Sequence, residues 1–150
     1  MEIKRILLVE DNPDDEMLAR MALRKITLAV ELAVARDGVE ALEYLFCTGA
    51  YADRNPDLMP ELILLDLKLP RMNGLEVLRR IRADRRTCYL PVVILTLSRE
   101  EKDLAESYRL GVSSYVRKPV DFTRFSEAMQ LIATYWLTLN EFPPQKGDVA

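Results

Sequence analysis

Four groups able to take part in phosphoryl chemistry each lie at the carboxyl end of a short predicted strand. Glu10-Asp11 follows residues 3–9, Asp66 follows Leu62-Ile63-Leu64-Leu65, Thr96 closes residues 91–96, and Lys118 follows residues 113–117. Three carboxylates in one crevice repel each other, which raises their pKa values or demands a cation. Oxygen-only ligands suit a hard ion, and an octahedral Mg2+ (or Mn2+) retaining several waters is the natural choice. A carboxylate beside such an ion, with an ammonium and a hydroxyl nearby, suits phosphoryl transfer. The carboxylate attacks phosphorus while metal and lysine neutralise charge on the equatorial oxygens. Singly, each residue has a plainer reading: Asp66 a cap of the next helix, Lys118 a solvated lysine, Thr96 an ordinary strand end. Only their joint placement points to chemistry.

The elements that must position them follow from hydrophobic pattern. Leu62 to Leu65 reads as a strand buried on both faces, the kind found inside a parallel sheet, and it delivers Asp66 to the crevice where open α/β sheets bind ligands. Residues 68–74, with Pro70, Asn73 and Gly74, form a loop. Residues 3–9 make a first strand. Asn12 or Asp11 then caps a helix whose first turn holds Pro13, Asp14, Asp15 and Glu16, all favourable near the positive end of the helix dipole; Leu18, Ala22 and Ile26, with Met21 alongside, mark its buried stripe. Residues 30–35 alternate as an outer strand, and Asp37-Gly38 turns into a helix with Ala41, Leu42, Leu45 and Phe46 on one face. Residues 48–60 are the longest irregular segment, which suggests a surface role.

A helix over 74–83 is expected to turn Leu75, Leu78 and Ile81 inward. Residues 91–96 form a second fully apolar strand. Residues 100–110 read as a polar helix with Leu104, Tyr108 and Ala105 as its apolar stripe, and 113–117 as a last strand. Phe122, Phe125, Met129, Ile132 and Trp136 fall at helical spacing as core. Strands and helices alternate five times, which implies a mostly parallel sheet, helices on both faces and right-handed connections. Its carboxyl ends converge.

At 150 residues the chain suits one domain with one substantial core. A net charge of −3 argues against nucleic-acid binding, and Arg79, Arg80, Arg82, Arg85 and Arg86 read as a solvated helix face. Cys47 and Cys88 form no CxxC pair, so neither disulfide framework nor zinc site is expected and a reducing cytoplasm fits. No signal peptide or membrane span is expected. Histidine is absent, which excludes His acid/base catalysis, His metal ligands and a phosphohistidine in this chain.

Ile6-Leu-Leu-Val-Glu-Asp-Asn, Leu64-Leu-Asp66-Leu-Lys-Leu-Pro-Arg-Met-Asn-Gly74, Pro91-Val-Val-Ile-Leu-Thr96 and Gly111-Val-Ser-Ser-Tyr-Val-Arg-Lys-Pro119 together resemble the receiver domain of two-component response regulators over nearly the whole chain. The resemblance implies a flavodoxin-like (βα)5 doubly wound sheet of strand order 2-1-3-4-5. It implies that Asp66 takes a phosphoryl group from a histidine kinase. Asp11, Asp66 and the Lys68 backbone carbonyl would be the metal ligands, with Glu10 acting directly or through metal-bound water. Lys118 would pair with the phosphoryl oxygens, and the Lys118–Pro119 bond would be cis. Thr96 would be the switch hydroxyl, drawing Tyr115 inward and reshaping the face made by the fourth helix, fifth strand and fifth helix. The chain would catalyse only its own Mg-dependent aspartyl phosphorylation and dephosphorylation, so it is not expected to be an enzyme on other substrates.

Leu97 departs from the small residue usual after the switch threonine; it either leans over Asp66, limiting attacking water or a small phosphodonor, or points into the core. The Lys68 side chain is another residue that could tune dephosphorylation. The apolar ending and the long 48–60 loop resemble stand-alone receivers that serve bacterial phytochrome kinases. That implies a phytochrome-linked kinase partner and a homodimer through the face just described. Residues 1–140 would be the receiver and 141–150 a tail that joins the dimer interface or folds back on its own domain. Three rival readings fit the sequence less well. A phosphatase of the haloacid dehalogenase type needs a second Asp where Lys68 stands. A nucleotide or flavin binder lacks its glycine motifs. A phosphorylation-independent adaptor is opposed, but not excluded, by the intact acidic pair with Asp66, Thr96 and Lys118.

Overall fold

All five strands run parallel in the order β2-β1-β3-β4-β5, as expected. The computed structural model describes residues 2–144. The strands are β1 (Ile3–Val9), β2 (Ala29–Ala35), β3 (Leu62–Leu65), β4 (Val92–Thr96) and β5 (Ser114–Arg117). The helices between and after them are α1 (Pro13–Leu23), α2 (Gly38–Phe46), α3 (Gly74–Ala83), α4 (Glu101–Arg109) and α5 (Phe122–Thr134). Every residue of β3 and β4 is buried, because helices cover both faces of the sheet.

Alternation along each strand divides the core in two. Leu7, Val9, Ile63, Leu65 and Ile94 face α2 and α3 with Leu45, Leu78 and Ile81. Ile6, Leu8, Leu62, Leu64 and Leu95 face α1 and α5 with Ala22, Leu23, Phe125 and Met129. A side chain of this kind gains about 1.5–3 kcal/mol on full burial. Asn12, Asp37, Asn73 and Asp121 cap α1, α2, α3 and α5, each accepting hydrogen bonds from first-turn amides.

Several expectations need correction. In α1 Ala19, Ala22 and Leu23 are buried, Leu18 and Ile26 pack partly buried against the same core with Ile26 just beyond the helix end, and Met21 is exposed. In α3 Val77, Leu78 and Ile81 are buried and Leu75 only partly so. In α4 the inward residues are Asp103 and Ser107, with Tyr108 54% exposed. Ser98 Oγ donates to Asp103 Oδ2 (2.6 Å) and Ser107 Oγ to the Asp103 carbonyl (2.6 Å), so that polar pair is satisfied in place. Phe122, at the start of α5, is exposed, and a π-helical turn (Tyr135–Leu139) continues α5 through Trp136 as the spacing implies.

Arg82 is not solvated. It donates to the carbonyls of Gly111 (2.7 Å), Leu90 (2.7 Å) and Cys88 (3.1 Å), clamping the ends of α3, β4 and α4. The 48–60 segment contains a 3-10 turn (Gly49–Tyr51) and is organised by Arg54, which donates to the Tyr44 and Leu58 carbonyls and lies 4.3 Å from the Tyr44 ring centre. Phe142 lines a concavity with Met59, Pro60 and Tyr89, so the start of the tail lies on its own domain. Residues 145–150 of the expected tail lie outside the described residues. Among the described residues no helix is long and apolar enough to cross a membrane.

Candidate functional site

Strand register carries the acidic residues together. Val9 pairs with Leu65, so the residues just beyond them, Glu10 and Asp66, stand side by side; the Asp66 amide donates to the Val9 carbonyl at 3.1 Å. Thr96 pairs with Arg117, and the Lys118 amide donates to the Thr96 carbonyl at 2.8 Å, which brings Lys118 to the same end of the sheet. Carboxylate oxygens of Glu10, Asp11 and Asp66 all lie within 4.8 Å of one another. The oxygen-only donor set fits a hard divalent cation.

Two glycines allow this crevice. A Cβ on Gly74 would sit 2.2 Å from the Asp66 carbonyl oxygen, and one on Gly38 would sit 2.1 Å from that of Met72. Only a residue without a side chain lets α3 start beside the Asp66 turn and α2 beside the loop that follows. Asp66 Oδ1 is held by the Leu67 amide (2.7 Å) and approached by that of Lys68 (3.5 Å), while Oδ2 lies 3.2 Å from Lys118 Nζ.

The Lys118 ammonium is buried and also reaches Glu10 Oε1 (2.7 Å) and Asp15 Oδ2 (2.8 Å). Burial works against that ammonium, but the hydrogen bonds to Asp15 and Glu10 and the charge of Asp66 outweigh it and push its pKa up. Glu10 is pushed above the ordinary carboxylate value chiefly by burial, with Asp66 adding to the shift and Lys118 opposing it. Lone burial of these charges would be prohibitive; mutual pairing makes it tolerable.

The site residues fall into two groups. Glu10, Asp11, Asp66 and Lys118 converge. Thr96 is fully buried at the end of β4, and its Oγ1 accepts from the Ser98 amide at 3.2 Å; no described hydrogen bond joins it to Asp66. Tyr115 packs against the α2–α3 core, its hydroxyl buried without a hydrogen bond of good geometry, although Ser98 and Asp103 are close enough to affect its titration. Leu97 is 64% exposed, which rules out the core as its place. The Lys68 side chain turns to Asp103, 3.8 Å away.

One expectation fails. The described peptide bonds are all trans, Lys118–Pro119 included. Trans is the favoured form of an X–Pro bond by about 0.5–1 kcal/mol, and in it Lys118 already meets three carboxylates. Asp15 was missed as a site residue because first-turn acids are common at any helix start. Its signal was its place beside a strand end already carrying two acids. Beside the site, Asp11, Lys68, Leu69, Asn73 and Asp103 line a cleft of about 430 Å³. A concavity of about 310 Å³ between Arg20, Leu23, Leu28 and Val30 lies at the opposite end of the sheet, away from this chemistry.

Residues 6–130 match the response regulator receiver domain. Response regulator Rcp1 of Synechocystis sp. is 39% identical over 140 residues, covering 93% of this chain and 93% of Rcp1. The phosphorylated cyanobacterial phytochrome response regulator RcpA superposes with a TM-score of 0.89 at 39% identity, covering 95% of this chain and 99% of RcpA. The bacteriophytochrome response regulator AtBRR is 52% identical, with a TM-score of 0.73 over 94% of this chain and all (100%) of AtBRR. A crystal structure of Rcp1 is of its Mn2+-bound form, with a TM-score of 0.86 at 38% identity over 93% of this chain and 99% of Rcp1.

Proposed function

Because the chain belongs to the response regulator receiver domain family, we propose that Asp66 accepts a phosphoryl group from a histidine kinase and that the chain signals by changed protein contacts. The observation that carries this reading is the convergence of Glu10, Asp11 and Asp66 within 4.8 Å, with Lys118 3.2 Å from Asp66. An Asp66 carboxylate oxygen forms the new O–P bond as the P–N bond to the donor imidazole breaks. The nitrogen departs with the bonding pair. Lys118 pairs with the non-bridging oxygens, and the Leu67 amide fixes the carboxylate's orientation. Glu10, Asp11, Asp66 and the Lys68 carbonyl would hold Mg2+, which supplies charge neutralisation of the transferred group.

Thr96 and Tyr115 form the switch in this reading. The buried, unpartnered Tyr115 hydroxyl supports it, since such a group gains from any rearrangement that finds it a partner. Similarity to Rcp1, RcpA and AtBRR supports a phytochrome-linked histidine kinase as donor, in the cytoplasm. Exposed Tyr108, Val120, Phe122, Leu131, Tyr135 and Leu139 on and around α4 and α5 support a homodimer through that side. In this reading residues 1–140 are the receiver unit and 141–150 a tail. Mass spectrometry after incubation with Mg2+ and acetyl phosphate, wild type against Asp66→Asn, tests the acceptor.

A further inference from the structure

α4 is held differently from its fellow helices. The side chain at its start, Glu100, makes no cap hydrogen bond, whereas α1, α2, α3 and α5 each have one. Its first turn is tied down from outside instead. Asp103 turns inward and is only 8% exposed. Ser98 Oγ donates to it at 2.6 Å and accepts from the Glu100 amide at 3.3 Å. The one cation paired with Asp103 among the described residues is Lys68, Nζ to Oδ2 3.8 Å. A carboxylate this far from water needs such a partner. Lys68 stands two residues after Asp66, its amide 3.5 Å from Asp66 Oδ1, and its side chain is 69% exposed and free to swing.

We propose that Lys68 and Asp103 form a charge latch. It holds the first turn of α4 against the loop after β3 while Asp66 is unmodified, and phosphorylation of Asp66 opens it by drawing the Lys68 ammonium away. The proposal rests on Asp66 being the acceptor. A phosphoryl group carries a charge of about −1.5 to −2 and three strong acceptor oxygens, where the carboxylate carried one negative charge. That group arises within reach of Lys68 and outcompetes Asp103 for it. Asp103 is then left buried with Ser98 alone. Its next donors are water or the orphan Tyr115 hydroxyl, and both require the turn to shift. The latch thus joins the acceptor to α4 through the Lys68 side chain, beside the contact that Ser98 makes with Thr96.

Hydrogen exchange of the full chain, read by mass spectrometry on fragments covering α4, tests it. The chain is compared in Mg2+ alone and in Mg2+ with beryllofluoride, as wild type, Lys68→Met, Asp103→Asn and the double variant. The latch predicts that beryllofluoride speeds wild-type α4 exchange about two- to fivefold, the range an ion pair with one exposed member supports. Lys68→Met reaches that rate without beryllofluoride and gains nothing more from it, and the double variant exchanges no faster than Asp103→Asn. Lys68 is exposed, so its substitution opens no cavity. Wild-type-like exchange in Lys68→Met overturns the latch, as does a full beryllofluoride response persisting in that variant. Intact mass separates the two failures: phosphoryl uptake without these α4 effects overturns the latch alone, whereas no uptake overturns the acceptor assignment and the latch with it.

Discussion

The Lys118 ammonium lies 2.8 Å from Asp15 Oδ2, closer than the 3.2 Å that separates it from Asp66 Oδ2. Helix α1 therefore shares in holding the lysine that serves the site, and the lysine binds β1, β3, β5 and α1 together. Lys118→Met leaves Glu10, Asp15 and Asp66 without their common cation and is expected to destabilise the fold by about 3–5 kcal/mol, measured by urea unfolding. Asp15→Asn leaves the other two pairs and costs less.

The same ammonium sets a pH dependence. Its pKa is raised above the ordinary 10.5 by its hydrogen bonds to Asp15 and Glu10 and by Asp66, against burial. The folded state binds this proton more tightly than the unfolded chain. The stability it contributes is therefore fully present below pH 10.5 and is lost as pH rises through the folded value. Unfolding measured from neutral to strongly alkaline pH should show this loss in the wild type, and Lys118→Met should lack it.

Gly74→Ala places a methyl group 2.2 Å from the Asp66 carbonyl oxygen. The clash is with backbone, so the Asp66 turn or α3 must shift, at a cost of about 1–3 kcal/mol. Phosphorylation should fall more than stability alone explains. Thermal unfolding together with phosphoryl uptake checks it.

Arg54 organises the 48–60 segment through carbonyl hydrogen bonds to Tyr44 and Leu58, and Tyr51 anchors the segment by donating to Glu40 Oε2 at 2.6 Å. Arg54→Ala should cost about 1–3 kcal/mol through the carbonyls it leaves unpaired and raise hydrogen exchange across the segment. The Tyr51 phenol is pushed up to about 12 by burial and by the Glu40 hydrogen bond. Its contribution is present below pH 10 and fades as pH approaches 12, and Tyr51→Phe should abolish that dependence.

Exposed apolar residues on α4 and α5 carry the proposed dimer. Tyr108→Asp and Leu131→Asp replace side chains 54% and 72% exposed, so monomer stability should change by less than about 0.5 kcal/mol. Light scattering should register a shift from dimer to monomer in both variants.

How much of this was legible in the sequence depends on what kind of signal each part leaves. Leu62 to Leu65 and residues 91–96 are uninterrupted apolar runs, and such runs fit little besides strands buried on both faces. Once those strands were parallel, the meeting of Glu10, Asp11, Asp66 and Lys118 followed from their ends pointing one way. Polar inward faces left no such mark. Asp103 and Ser107 look like solvent residues, and only the third-dimensional position of Ser98 and Lys68 reveals why they are buried. Arg82 likewise sat in a run of exposed arginines, and the carbonyls it clamps come from residues 6, 8 and 29 positions away. The expected cis bond at Pro119 came from family pattern rather than from any local force.

Intact-mass spectrometry decides whether Asp66 accepts the phosphoryl group. The full chain is incubated with Mg2+ and acetyl phosphate, or with a purified phytochrome-linked histidine kinase and ATP, as wild type and as Asp66→Asn. The wild type should gain the mass of one phosphoryl group only when Mg2+ is present, and the variant should gain none. A wild type left unmodified by both donors, or an Asp66→Asn variant modified as readily, would contradict Asp66 as the acceptor.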